Sequence, residues 1–224
     1  MRSFRKAHDA APSVSAGTGP GPATTPPAPE PPAATEPPAA TETGAVAVES
    51  SREKALRYVL GVLRLALGWI FLWAFLDKTF ALGYSTGVDP TTGAVDRFGP
   101  AAWINGGSPT EGFLSGATSG PFAGFYQSFA GAAWADWLFM LGLLGIGLAL
   151  MLGVAMRITA VCGALLTVLM WSAVLPPSTN PIIDEHIIEA LVFVVLALAG
   201  AGYTIGIGRQ YERLPIVGKH AWLR

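Results

Sequence analysis

Four long apolar runs constrain this chain more than any other feature. The first contains Arg64–Lys78 (RLALGWIFLWAFLDK), with an arginine near one end and an Asp77–Lys78 pair at the other. Runs of the same kind fill residues 134–153, 158–175 and 181–205. Each approaches the ~20 residues that cross a ~30 Å hydrocarbon layer as a helix. The expected fold class is therefore an all-α membrane protein. Its spans fall at about 57–76, 134–153, 158–175 and 181–205, in a four-helix transmembrane bundle with a long extracytoplasmic loop between helices 1 and 2.

Composition points the same way. The chain is 51% hydrophobic and 13% charged, where a soluble domain is about a quarter charged. A net charge of −1 gives no basis for a nucleic-acid partner. The single cysteine, Cys162, excludes an intramolecular disulfide and a Cys-based metal cluster. Three histidines are too sparse for a bis-His haem within one subunit, so no metal or haem is expected from this chain.

Residues 1–51 are rich in Pro, Ala and Thr and repeat PPAATE at Pro31–Glu36 and Pro37–Glu42. Such a segment has too little apolar surface to offset chain entropy, which predicts a disordered tail. It serves as a partner-docking element or as a plain solvated tail. Residues 52–208 form the expected membrane domain and 209–224 a basic tail. Arg52, Lys54, Arg57, Arg157, Arg209, Arg213, Lys219 and Arg224 fall on one side of the expected spans, and only Lys78 and Arg97 on the other. The positive-inside rule then puts both termini in the cytoplasm of a multi-pass plasma-membrane protein.

Between spans 1 and 2, Ser108-Pro109-Thr110-Glu111 reads as a helix start with Ser108 at the N-cap. Phe122, Phe125, Tyr126 and Phe129 recur at helical spacing, as in a short interfacial helix or a lid over the bundle mouth. Small residues predict packing faces at Gly61 and Gly68, at Gly142, Gly145, Ala149 and Leu152, and at a Gly202–Gly206 GxxxG pattern. Asn180 and Pro181 are the expected N-cap and first residue of the last span.

Topology gathers Asp77, Lys78, Asp136, Asp184, His186 and Glu189 near the outer mouth. His186 and Glu189 are three residues apart and share a helix face. With Asp184 they are the candidate catalytic groups: a His and buried acids can hydrogen-bond a quinone head group and pass its protons. The bland reading of His186 is an interfacial histidine bonded to loop backbone, and of Asp184 a helix-start acid. Lys78 and Arg97 are the candidate substrate-binding residues for a small anion, with a lipid-headgroup anchor as the alternative for Lys78. Arg64 is expected to form an intramembrane ion pair with Glu189, or else to snorkel toward the headgroups. Trp134 and Trp137, with Asp77, fit an outer belt. No P-loop, dinucleotide fingerprint, metal cluster or hydrolase triad is present.

The pattern Arg64-x-x-x-Gly68-x-x-Phe71-Leu72 with Asp77-Lys78 resembles the first-helix signature of the DoxX/DoxD-like membrane proteins. Ala102–Leu114 (AWINGGSPTEGFL), Gly153 followed by Arg157, and Pro176-Pro177 followed by Asn180–Ile188 (NPIIDEHII) resemble its DoxD-type branch. The resemblance covers Arg57 to Gly208. It implies a four-helix membrane bundle and the membrane subunit of a thiosulfate:quinone oxidoreductase, with quinone as electron acceptor. A second oxidoreductase subunit or a homo-oligomer is the implied partner, beside the bilayer itself. The alternative function is a non-enzymatic membrane scaffold that recruits soluble redox or sulfur-metabolism partners.

Overall fold

The computed structural model describes residues 40–178 and 180–223. The chain divides into Met1–Ala40 and Thr41–Arg224, and the second unit carries the architecture below. The regular elements among the described residues are all helices, without strands; an isolated antiparallel bridge joins Val88 and Val95.

Helix α1 (Ala40–Phe80) starts earlier than the composition predicts, so residues 40–51 of the expected tail are helical. Residues 1–39 of that tail lie outside the described residues. Three helical stretches are long and apolar enough to cross a membrane: Ser50–Phe80, Ala133–Leu152 and Met156–Ala173. At 1.5 Å per residue the first is about 46 Å long, well beyond a ~30 Å hydrocarbon core.

Short elements occupy residues 81–132. They include a 3₁₀ turn at Trp103–Asn105, α2 (Glu111–Gly116), a second 3₁₀ turn at Gly120–Phe122 and α3 (Ala123–Gln127). The N-cap of α2 is Thr110 rather than the expected Ser108, and its side chain makes no cap bond; Ser108 Oγ still accepts from the Glu111 N–H, but within the turn before the helix. Tyr126 of α3 reaches down to Ser172 Oγ at 2.6 Å, while Phe122 and Phe125 point outward. The segment thus packs on the helices and also presents aromatic rings to its surroundings.

Helix α4 (Ala133–Leu152) ends where Gly153 takes a left-handed conformation (φ 75°, ψ 34°). The chain reverses through Val154 and Ala155 into α5 (Met156–Ala173), which stops short of Pro176 and Pro177. Helix α6 (Glu185–Leu198) is shorter than the expected 181–205 span. Asn180 does accept from the N–H groups of Ile182 and Ile183, but this makes a local turn, and Asp184 in extended geometry is the true N-cap. At the other end Gly200 is left-handed (φ 61°), and Ala201–Tyr203 is a 3₁₀ turn. Gly202 and Gly206 therefore form no helical GxxxG face. Helices α7 (Gly208–Glu212) and α8 (Pro215–Lys219) follow.

One buried cluster draws Leu67 and Phe71 from α1, Met140, Leu143, Ile146 and Leu150 from α4, Met156 and Ala160 from α5, and Phe193 and Leu196 from α6. Of the expected stripe, Gly142 faces Leu166 in ordinary contact at 4.0 Å, whereas a Cβ at Gly145 would meet nothing within 4 Å. The close approaches are instead at Gly147, where a Cβ would come within 2.8 Å of the Leu72 nitrogen, and at Gly163, where it would lie 2.3 Å from the Phe193 ring. Gly68 does act as expected, against Leu150. Outward faces carry large apolar side chains such as Ile70, Leu141, Leu165 and Leu191. Such faces suit lipid and would be a liability in water.

Candidate functional site

Two contacts fix the relative direction of α1 and α6. Gly61 meets Ile205, and Phe71 meets Phe193 edge-on at 5.3 Å, so residue numbers rise along α1 as they fall along the facing chain. Lys78 lies seven residues beyond Phe71 and His186 seven before Phe193, so each sits about 10 Å from that contact toward the same end.

At this end three buried aspartates hold loops to helix termini. Asp77, in the last turn of α1, accepts from the Tyr84 and Ser85 N–H groups at 3.1 and 2.9 Å and from Ser85 Oγ at 2.7 Å. It is 1% exposed and is not a belt residue. Asp136, in the first turn of α4, accepts from Ser108 Oγ at 2.8 Å, Thr110 N–H at 3.1 Å and Thr110 Oγ1 at 2.6 Å. Asp184 accepts from the His186 and Ile187 N–H groups at the start of α6. A carboxylate removed from water requires such donors, and a loop rich in Ser, Thr and Gly supplies them. Ser85, Ser108 and Thr110 were not marked as partners by spacing, because residue separations such as the 26 between Thr110 and Asp136 carry no periodicity.

Lys78 and Arg97 meet the same turn. Lys78 Nζ donates to Ser85 Oγ at 3.2 Å, and Arg97 Nε donates to the Leu82 carbonyl at 3.2 Å. Lys78 is half-buried and feels the charge of Asp77, whereas Arg97 is exposed.

On α6 the ring Nδ1 of His186 lies 2.8 Å from Asp184 Oδ2, and the His186 side chain is 16% exposed. A carboxylate at Nδ1 makes that nitrogen the proton-bearing one and leaves Nε2 to exchange protons. Glu189 follows one turn along and feels His186, Glu185 and Asp184 as its charged neighbours. Lys78 and Glu189 share an end of the molecule; Lys78 has Asp77 as its charged neighbour and Glu189 has the other α6 groups.

Arg64 is not paired with Glu189. It is fully buried, and its Nη1 and Nη2 donate to the carbonyls of Leu150 and Ile205. The reason is axial distance. Arg64 lies seven residues on one side of the Phe71–Phe193 contact and Glu189 four on the other, about 16 Å apart along the helices. Nor does Arg64 snorkel, because its guanidinium has backbone partners where α4 ends. The Val154 N–H, which would serve Leu150 in a continuing helix, bonds to Ala149 instead, and Arg64 takes its place. A cavity of about 200 Å³ lies near this same end, between the start of α5, the chain around Gly200 and α7. Sequence patterns did not reveal it, because its walls come from a helix break that apolar periodicity conceals.

Among the described residues no group of three or more His, Cys, Asp and Glu is arranged to hold a metal ion. Comparison with family models, with curated proteins and with solved structures returns no match for this chain.

Proposed function

We propose that this chain is the integral membrane subunit of a quinone-linked oxidoreductase, with α6 joining the three long helices as the fourth element of a transmembrane bundle. Support for the bundle is the single buried cluster fed by α1, α4, α5 and α6, and the outward apolar stripe Ile188, Leu191, Val195 and Leu198 on α6. Both termini face the cytoplasm of a plasma membrane under the positive-inside rule.

The observation that carries the redox reading is the Asp184–His186 hydrogen bond with Glu189 one turn further into an apolar helix. Quinone reduction takes up two electrons and two protons, and the quinone ring resides in lipid. A histidine oriented by a carboxylate at the helix mouth, followed by an acid deeper in, is a route by which protons reach it. In the thiosulfate reading, two thiosulfate dianions couple to tetrathionate and release two electrons, which reduce quinone with two protons to quinol. Lys78 and Arg97, anchored on the Leu82–Ser85 turn, attract the dianion. The electron route between the two sets belongs to a second subunit.

The test is quinone retention. Protein purified from membranes should carry quinone, and a photoreactive quinone should label α6 near Glu189. Labelling spread evenly over the outward faces of α1, α4 and α5 would instead mark nonspecific partition into the apolar surface.

A second reading, a non-enzymatic scaffold for soluble redox partners, draws on the Ser50–Phe80 stretch of α1, which outruns a hydrocarbon core by about 16 Å. Capture of soluble partners by the full chain and not by one lacking residues 1–51, with no quinone chemistry, would favour it.

A further inference from the structure

We propose that α3 and the rings beside it lie in the interfacial layer of the bilayer, where headgroups meet acyl chains, on the outer perimeter of the packed helices rather than over their mouth. The inference draws on the apolar helices and is independent of the redox reading.

Height is set by two contacts. Helix α5 has 18 residues and is about 27 Å long, close to a ~30 Å hydrocarbon core. Near its C-terminal end, the Tyr126 hydroxyl donates to the Leu169 carbonyl at 3.2 Å and lies 2.6 Å from Ser172 Oγ. Phe129 meets Trp134, in the first turn of α4, at 5.3 Å. The segment is thereby held at the level where two apolar helices end.

The side follows from which rows of residues it touches. Leu169 extends the exposed row Val161 and Leu165 of α5. The inward row of that helix passes instead through Gly163, against Phe193, and the fully buried Thr167. Trp134 heads the exposed row of α4 that continues through Leu138 and Leu141. Phe125, Phe129 and Trp134 follow one another at 5.4 and 5.3 Å. The aromatic surface of α3 thus runs without a break into an outward face that suits lipid. A lid over the mouth would take its anchors from the inward rows.

Composition fits the same layer. Phe125 is 65% and Trp134 60% exposed. The 24 residues between Glu111 and Asp136 carry no charge, where a chain of average composition would place about six. Aromatic rings favour the headgroup level of a membrane, and a short helix with one apolar flank can lie in that plane. On α3, Phe125 and Gln127 fall about 160° apart, either side of Tyr126. The Phe125 flank leads to Trp134 and the acyl chains. The Gln127 flank, where the amide donates to Thr118 Oγ1 at 3.3 Å, turns toward water. No lysine or arginine occurs from Phe98 to Met156, so the contact requires no anionic lipid.

The experiment places nitroxide labels on single cysteines of the full-length protein in phosphatidylcholine vesicles. It reads their accessibility to oxygen, which concentrates among acyl chains, against a water-soluble nickel chelate. Native Cys162, exposed on α5, is the lipid reference, and the other labels are carried in a Cys162→Ser background. Ala94→Cys, in the exposed turn between Asp89 and Asp96, is the water reference. The oxygen-to-chelate ratio at Phe125→Cys should be severalfold above that at Ala94→Cys and should exceed that at Gln127→Cys. Gly124→Cys keeps every ring and adds a side chain where a Cβ meets nothing within 4 Å, so it guards against misfolding of the Phe125 variant. Its ratio should fall between those at Phe125 and Gln127. Ratios at Phe125 and Gly124 equal to that at Ala94 would reveal a solvated lid and overturn the assignment. Shielding of Phe125→Cys from both reagents, with dipolar broadening between labels, would mean that a second copy covers the rings, and would overturn it equally.

Discussion

Arg64 of α1 donates to the carbonyl of Leu150, the acceptor that α4 leaves open where Gly153 ends it. A cation from one apolar helix thereby completes the backbone of another, at the negative end of its dipole.

Arg64→Ala should accordingly cost stability rather than chemistry at the far end. The buried Leu150 carbonyl would lose its donor at about 1–3 kcal/mol, and the half-buried Ile205 carbonyl would lose its donor at a smaller cost. Arg64→Lys should recover part of this, because an ammonium is charged but cannot fork across both acceptors. Thermal unfolding in detergent measures the order wild type, Lys, Ala.

Two glycines separate true close approach from mere smallness. Gly163→Ala puts a methyl against the Phe193 ring and should destabilise by about 1–3 kcal/mol. Gly145→Ala meets nothing within 4 Å and should be neutral or gain about 0.5–1 kcal/mol from helix propensity. Comparing the two variants under one detergent condition checks the packing faces directly.

Asp136 fixes the loop before α2 to the start of α4. Asp136→Ala would strand the Thr110 N–H and both hydroxyls, a loss of about 1–3 kcal/mol, and should open residues 105–132 to protease. Asp136→Asn keeps an acceptor and should be cut more slowly. Equal cleavage of wild type and Ala variant would show that the loop is held elsewhere.

Asp89 gives a pH signature. The N–H groups of Thr92 and Thr91 donate to it and hold its carboxyl below the usual carboxylate range. A depressed value in the folded state contributes local stability above the unfolded-state value, lost as pH falls through the lowered one. The protection factors of the Thr91 and Thr92 amides, exchange taken relative to the intrinsic rate at each pH, should therefore fall on acidification through that window, and Asp89→Asn should flatten the dependence.

The three long membrane helices were legible in the sequence because unbroken apolar runs leave few alternatives. The ends of α6 were not. Asn180-Pro181 has the residue types of a helix start, yet Asp184, four residues past Asn180, takes the cap by accepting from the His186 and Ile187 N–H groups, and it also binds the His186 ring. Hydropathy runs smoothly through Ala199–Ile205, so the break at Gly200 was invisible. Of the site, the residues at one end of the molecule were identified from topology, but their engagement was not. Asp77 and Asp136 looked free because their donors lie in loops. Arg64 and Glu189 looked close because the register of α1 against α6 depends on Phe71 meeting Phe193, a contact between side chains that no local pattern encodes.

The most direct measurement is thiosulfate-dependent quinone reduction in membranes carrying His186→Ala, with Lys78→Ala beside it. His186→Ala removes the ring while leaving the two backbone donors to Asp184, so α6 keeps its cap. Loss of at least about tenfold in rate, with the protein still folded and inserted, is the expected result for His186, and a raised thiosulfate requirement is expected for Lys78. Undiminished quinone reduction in both variants would rule out proton transfer at His186 and anion attraction by Lys78.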